Sequence, residues 1–186
     1  MLLDTTAVTT TGAPAPAPGW RARVAERRRL HRIDRLGARL ARLDAVAGVL
    51  QRSSNRLAAG WTQDAWFTTV QDGLLQQHVG ALRAEQGVGS ERICLVAAVA
   101  VESLPGSITG PVAQRAVGAL WSVLHGGHAA SDWSTAPGVT AARAYDLVRW
   151  NDAPDRRASD VLALVTASSA SLARTSTLLR EDLARA

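Results

Sequence analysis

WRARVAERRRLHRIDRLGARLARLDAVAGVLQRSSNRLA, residues 20–58, is the stretch whose reading decides the fold. Ile33, Leu40, Ala47 and Ser54 stand seven residues apart, and so do Leu36, Leu43, Leu50 and Leu57. Such rows are the a and d positions of a heptad, and leucine at every d predicts one long amphipathic helix. Gly37 and Gly48 work against it, each costing about 1 kcal/mol relative to alanine in a helix interior. Two uses of the seam Ile33, Leu36, Leu40, Leu43, Leu50 and Leu57 stay open. In a parallel homodimer, or against another protein partner, the seam would meet a second helix, and Arg39 at g would face Asp44 at e of the copy. Alternatively the seam packs onto the chain's own bundle, because short isolated coiled coils are marginal.

The same stretch concentrates the charge. Residues 20–56 hold eleven arginines and only three acids, Glu26, Asp34 and Asp44, in a chain whose net charge is +5. The segment is therefore strongly basic and the remainder is acidic. Segregated positive charge is the electrostatic footprint of a polyanion binder. It is also what a solvated helix face carries in an arginine-rich composition. Every basic residue is arginine, whose planar fork suits phosphate, and lysine is absent. A basic stretch, residues 21–32, running into heptads has the order of a basic-region zipper. The asparagine and paired alanines of such regions are missing, so phosphate contact without base reading is the expectation. The residues expected to make it are Arg21, Arg23, Arg27, Arg28, Arg29, Arg32 and Arg35.

Outward from the helix, residues 1–19 are rich in Thr, Ala, Pro and Gly without an apolar period, and with Ala and Pro alternating over residues 13–18 they are expected to form an extended, unpacked tether. Residues 59–186 are expected to form a separate helical domain. Its elements would be a short helix over Gly73–Gln86, with Leu75, Val79 and Leu82 on one face, and a buried helix over Glu91–Ser103 capped by Ser90. Next come a helix opened by Pro111 and closed by Gly126-Gly127, one from Pro137 to about Trp150, and a last one capped by Ser159. The second half of that last helix, rich in Ser and Thr, is expected to pack less firmly. No segment alternates at period two, so the chain reads as all-α: a compact helical bundle with a long N-terminal arginine-rich heptad helix.

One cysteine, Cys94, excludes an internal disulfide and a cysteine-based zinc site. The longest apolar run, Ile93–Val101, is far short of the roughly 20 residues that cross a bilayer. The start of the chain lacks a signal-peptide pattern. A cytoplasmic protein with no membrane contact is expected.

Gly60-Trp61-Thr62-Gln63, Arg92-Ile93-Cys94-Leu95-Val96-Ala97-Ala98 and Trp150-Asn151-Asp152-Ala153-Pro154, ahead of Asp160-Val161-Leu162-Ala163-Leu164, follow one another in a fixed order. In this combination residues 60–165 resemble a family of small uncharacterised domains of actinobacteria and their phages. The resemblance implies a fold unit and such a source, and carries no activity. The chain departs from the pattern at Asp64, where a glycine is usual, and in a longer stretch between Trp66 and Ile93.

The polar residues of these motifs admit two readings. Gln63, Cys94 and Asn151 can stand as oxyanion donor, thiol nucleophile and imidazole orienter, with a histidine from His78, His125 or His128. With Trp61, Trp150 and Asp152 they can equally line a small-ligand site. Against both, Cys94 shares a helical stripe with Ala98 and Val101 and reads as a small core hydrophobe. Asn151 reads as a left-handed helix terminus, Asp152 as a turn brace, and the tryptophans as core bulk bonded to that turn. His125, His128 and Asp132 make a weak metal set on a glycine loop, and neither a metal nor a cofactor is expected. The expected function is non-enzymatic binding or adaptor activity, with nucleic acid as first partner. The alternatives are a cysteine-dependent enzyme, a small-ligand binder, and a structural docking subunit.

Overall fold

The computed structural model of the chain describes residues 19–71, 74–78, 89–103, 110–130, 133 and 136–186. All but the last residue of the expected tether, Asp132, and the stretch 79–88 lie outside those residues.

The heptad stretch is one unbroken helix, α1, Trp20–Ala59. It is followed by strands β1 (Phe67–Gln71), β2 (Leu74–His78) and β3 (Arg92–Ile93). Helices α2 (Leu95–Glu102), α3 (Pro111–Leu124), α4 (Pro137–Asn151) and α5 (Ala158–Arg185) complete the order. The fold is mostly helical, and the all-α expectation is corrected by a small sheet of order β2-β1-β3. Both strand pairs are antiparallel, with Phe67 opposite His78 on one side and opposite Ile93 on the other.

The helix expected from Gly73 therefore gives way to a strand over Leu74–His78. Its sequence signal was local: Phe67-Thr68-Thr69-Val70 is rich in β-formers.

Every residue from Leu95 to Val101 is buried, because α1, α3 and α4 all pack around α2. That helix starts four residues later than Glu91. Arg92-Ile93 is drawn into the sheet, and Cys94 takes the N-cap position in place of Ser90. Pro111 opens α3. At the other end of α3, Gly126 takes a φ of 76° and Gly127 N–H donates to Ser122 O at 2.7 Å, a glycine-closed helix end. Arg157 rather than Ser159 caps α5, sharing reciprocal bonds with Asp160.

The α1 helix packs most extensively on α5. The two run antiparallel: Arg180 of α5 bonds Asp44 at 3.1 Å, and Arg29 Nε donates to Ala186 O at the end of the chain. The partner of Asp44 is thus in the same chain. Ser171, Leu172, Ser176 and Leu179 are buried, so the Ser- and Thr-rich half of α5 packs firmly. Small side chains let helix backbones approach closely, and Ser171 Oγ also accepts the Ala129 N–H at 3.1 Å.

Along α1 the surroundings change. Leu43, Val46, Val49, Leu50 and Leu57 belong to the same core as α2–α5, while Ile33, Leu36 and Leu40 are half-buried. A boundary at residue 59 would cut through this core rather than separate two units. Every residue from Trp20 to Arg32 is exposed. With Ala186 set against Arg29, residues 20–28 of α1 run past the end of α5 by roughly 13 Å.

The chain leaves α1 through Gly60, where close approach decides the residue. A Cβ there would stand 2.1 Å from Glu91 O, since Ile93 N–H donates to Gly60 O at 2.9 Å. Gly60→Ala is expected to lower stability by about 1–3 kcal/mol. Gly37→Ala, with open space around it, is expected to raise stability by up to about 1 kcal/mol. Denaturant midpoints of the two variants check both signs.

Candidate functional site

The three motifs that are far apart in the chain meet at Asn151, the last residue of α4, whose exposure is 0%. Its Oδ1 accepts the Trp61 indole N–H at 2.8 Å and the Leu95 backbone N–H at 3.3 Å. Its Nδ2 donates to Thr62 O at 3.1 Å and to Asp152 Oδ1 at 2.7 Å. Two donors and two acceptor positions are thus occupied, the full capacity of a primary amide.

The neighbouring residues extend the clasp. Gln63 Nε2 donates to Asn151 O at 3.2 Å and Ala153 O at 2.7 Å, satisfying carbonyls at the end of α4. Cys94 gives α2 no side-chain cap, and the Asn151 amide oxygen supplies the missing acceptor to the first helical N–H. Asp64 N–H donates to Asp152 Oδ1 at 3.1 Å.

Asp64 has a φ of 57°, in the left-handed region where glycine is favoured. The aspartate thus holds a backbone state that a glycine would adopt without steric cost. Asn151 itself is not left-handed: α4 ends on Asp152 with φ −91°, and Pro154 follows two residues later. Trp150 is partly buried against the core, with the Arg156 guanidinium 4.1 Å from its ring centre. The structure therefore brings Trp61, Gln63, Cys94, Asn151 and Asp152 together as a brace between helix ends.

Its chemistry does not suit a nucleophile. Cys94 is 3% exposed, and burial away from water pushes its thiol from 9.0 up to about 12. Backbone N–H groups at the start of α2 pull the other way, by less, while Asp152 adds to the rise. A small pocket of about 100 Å³ beside it is lined by Asp64, Ala65, Trp66, Val148 and Asp152. That is well below the roughly 300–1,000 Å³ of small-molecule sites, and no histidine is among those residues. His125 lies elsewhere, stacked on Trp121 at 4.3 Å, and His78 belongs to β2. Among the described residues no group of three or more His, Cys, Asp or Glu could hold a metal ion.

The arginines fall into two populations. Those around the core have partners. Arg52 and Arg56 share Glu102 at 3.2 and 2.7 Å, Arg180 pairs with Asp44, and Arg143 lies 4.8 Å from the Trp121 ring centre. On the outer half of α1, Arg29 meets Glu26 at 3.8 Å and the chain end, while Arg21 stands 5.8 Å from the Trp20 ring centre.

Arg28, Arg32, Arg35, Arg39 and Arg42 are exposed, and among the described residues they carry no ion pair or hydrogen bond. They follow one another at four- and three-residue spacing. Like charges at that spacing oppose each other by about 0.2–0.5 kcal/mol per pair. Arg39 and Arg42 carry this row beyond the arginine-dense stretch 21–35, a continuation already present in the spacing.

Residues 41–170 match the model of a family of unknown function (DUF6197), and the chain belongs to that family. The matched span holds the clasp and the buried half of α1, and leaves out residues 20–40. No curated protein and no solved structure matches the chain.

Asn151→Ala would orphan the Trp61 N–H, the Leu95 N–H and Thr62 O. At about 1–3 kcal/mol for each buried unpartnered group, a loss of about 3 kcal/mol or more is expected in equilibrium unfolding. Cys94 is expected to resist iodoacetamide in the native protein at pH 8 and to react once unfolded, with a thiolate fraction of about 1 in 10⁴ when folded. The folded thiol titrates above the unfolded one, so its stabilising contribution is full below pH 9.0 and is lost as pH rises toward about 12. The stability difference between wild type and Cys94→Ala, followed over that window, measures it.

Proposed function

We propose that this chain is a non-enzymatic binding or adaptor protein that engages nucleic acid through the outer half of α1. The observation that carries the reading is the division of that helix. Its leucine half is buried in the core, while residues 20–32 stay helical with every residue exposed. A helix without a packed face gains little from tertiary contacts, and this one holds Arg21, Arg23, Arg27, Arg28, Arg29 and Arg32, with Arg35 just beyond. The rigid bundle below fixes the direction in which they project. A cylinder about 10–12 Å across, bearing guanidinium groups, complements a phosphate backbone in both shape and charge.

The resemblance in the clasp motifs supports an actinobacterial or phage source, and the lone buried thiol suits a reducing cytoplasm. No helix among the described residues is long and apolar enough to cross a membrane. The heptad leucines Leu43, Leu50 and Leu57 are taken up by the chain's own core. A homodimer or protein partner would therefore have to use Ile33, Leu36 and Leu40.

The test keeps the full chain, because the second half of α1 belongs to the core. Fluorescence anisotropy with labelled duplex DNA across a salt series is expected to show binding that weakens steeply. The slope of log K against log salt should be near −0.9 for each phosphate neutralised. Changing Arg21, Arg28, Arg32 and Arg35 together to Gln is expected to make that slope shallower by about 3–4 and leave the thermal melt unchanged. Absence of binding at low salt would overturn the proposal.

A further inference from the structure

Arg21, Arg28, Arg32, Arg35, Arg39 and Arg42 are spaced 7, 4, 3, 4 and 3 residues apart. Residues at those intervals lie along one line of an α-helix surface. The helix is unbroken over the whole interval and each of the six side chains is exposed. At 1.5 Å per residue the line is about 32 Å long. The three acids of the helix, Glu26, Asp34 and Asp44, lie roughly 100° or more around the cylinder from it. So do Arg23, Arg27 and Arg29. The five arginines of the line from Arg28 to Arg42 carry no ion pair or hydrogen bond among the described residues, a condition that Arg27 off the line shares. The line ends where Val46 and Val49 turn the same face of the helix into the core.

We infer that this line, Arg39 and Arg42 included, is the surface on which the backbone of a duplex nucleic acid lies. The inference rests on the proposed function and narrows it. The arm grips from one side along its length, and Arg23, Arg27 and Arg29 contribute little.

Charge complementarity selects the occupant. A duplex offers about one negative charge per 1.7 Å on a stiff rod, and the line spans nearly one turn of about 34–36 Å. Single strands draw part of their affinity from stacking on aromatic side chains, and the only aromatic of the helix, Trp20, stands beyond the end of the line. A membrane surface would need an apolar face opposite the basic one. The opposite side here carries Glu26, Asp34 and Asp44. Contact made through one row of arginines with phosphates positions the duplex and reads no bases.

The experiment compares full-length wild type with two variants that lose equal charge, R35Q/R39Q/R42Q on the line and R23Q/R27Q/R29Q off it. Each is titrated with duplex DNA and with a single strand of the same length across a salt series. The on-line variant is expected to bind duplex at least about tenfold more weakly, with a slope shallower by about 3, while the off-line variant stays within about threefold of wild type. Because Arg29 touches the end of α5, the pair R39Q/R42Q against R23Q/R27Q repeats the comparison without disturbing that contact. Equal losses in both variants would overturn the line while leaving the basic arm standing. Tighter binding to the single strand would overturn the duplex as occupant. No binding by wild type would instead remove the proposed function itself.

Discussion

A single buried amide constrains this fold. Asn151 closes α4, caps α2 from outside, holds the Trp61 ring and donates to the backbone carbonyl of Thr62. Each of these groups would be costly to bury alone, and each is satisfied only if all three segments stand in register. The positive N-terminal end of α2 and the negative C-terminal end of α4 are brought together through that side chain, which is favourable for both helix dipoles. The entry of the chain from α1 into the sheet is fixed by the same bonds. A change at this point is therefore felt at helix ends and in the sheet at once, which is how a clasp differs from an ordinary core contact.

The clasp also explains why residues with catalytic reputations gather here. Glutamine, cysteine, asparagine and aspartate are useful at helix ends for the same property that makes them useful in active sites: short, directional hydrogen bonding. What separates the two uses is access. Cys94 is sealed, its thiol is held in the neutral form by burial, and the space beside it suits a water or a small side chain. The motif Gly60-Trp61-Thr62-Gln63 reads the same way, with a glycine required by the approach of Glu91 O and a glutamine spanning the carbonyls that end α4.

In the proposed function the binding surface lies at the other end of α1. The two halves of that helix stand in different surroundings. Its inner half is a structural member of the core, braced by α5, and its outer half leaves the bundle as a rigid rod. The bracing matters to the exposed part: a helix of thirteen exposed residues would fray by itself, and here it is nucleated from a buried segment. The family match begins at residue 41, close to the point where the environment of the helix changes. The shared fold and the basic extension are thus distinct in sequence as well as in burial.

Much of the architecture was legible in the residues alone. The long helix followed from leucine at every d position. The helix opened by Pro111 and the one from Pro137 to Asn151 followed from proline at their starts and breakers at their ends, all signals confined to one or two turns. The segregation of arginine was plain from counting. Tertiary structure decided the rest. Whether the heptad seam meets a copy or its own chain depends on α5, more than a hundred residues away, offering small serines and Arg180 to Asp44. Whether Leu74–His78 is helix or strand was settled by pairing with Phe67–Gln71, since five residues with two adjacent leucines fix neither period until a partner strand is present. The role of Asn151 was the least readable of all, because its partners come from three segments and its meaning is the geometry among them. Local spacing encodes elements, whereas burial and long-range hydrogen bonds, which exist only once the chain has folded, determine which polar residue is a brace and which arginine stays in water.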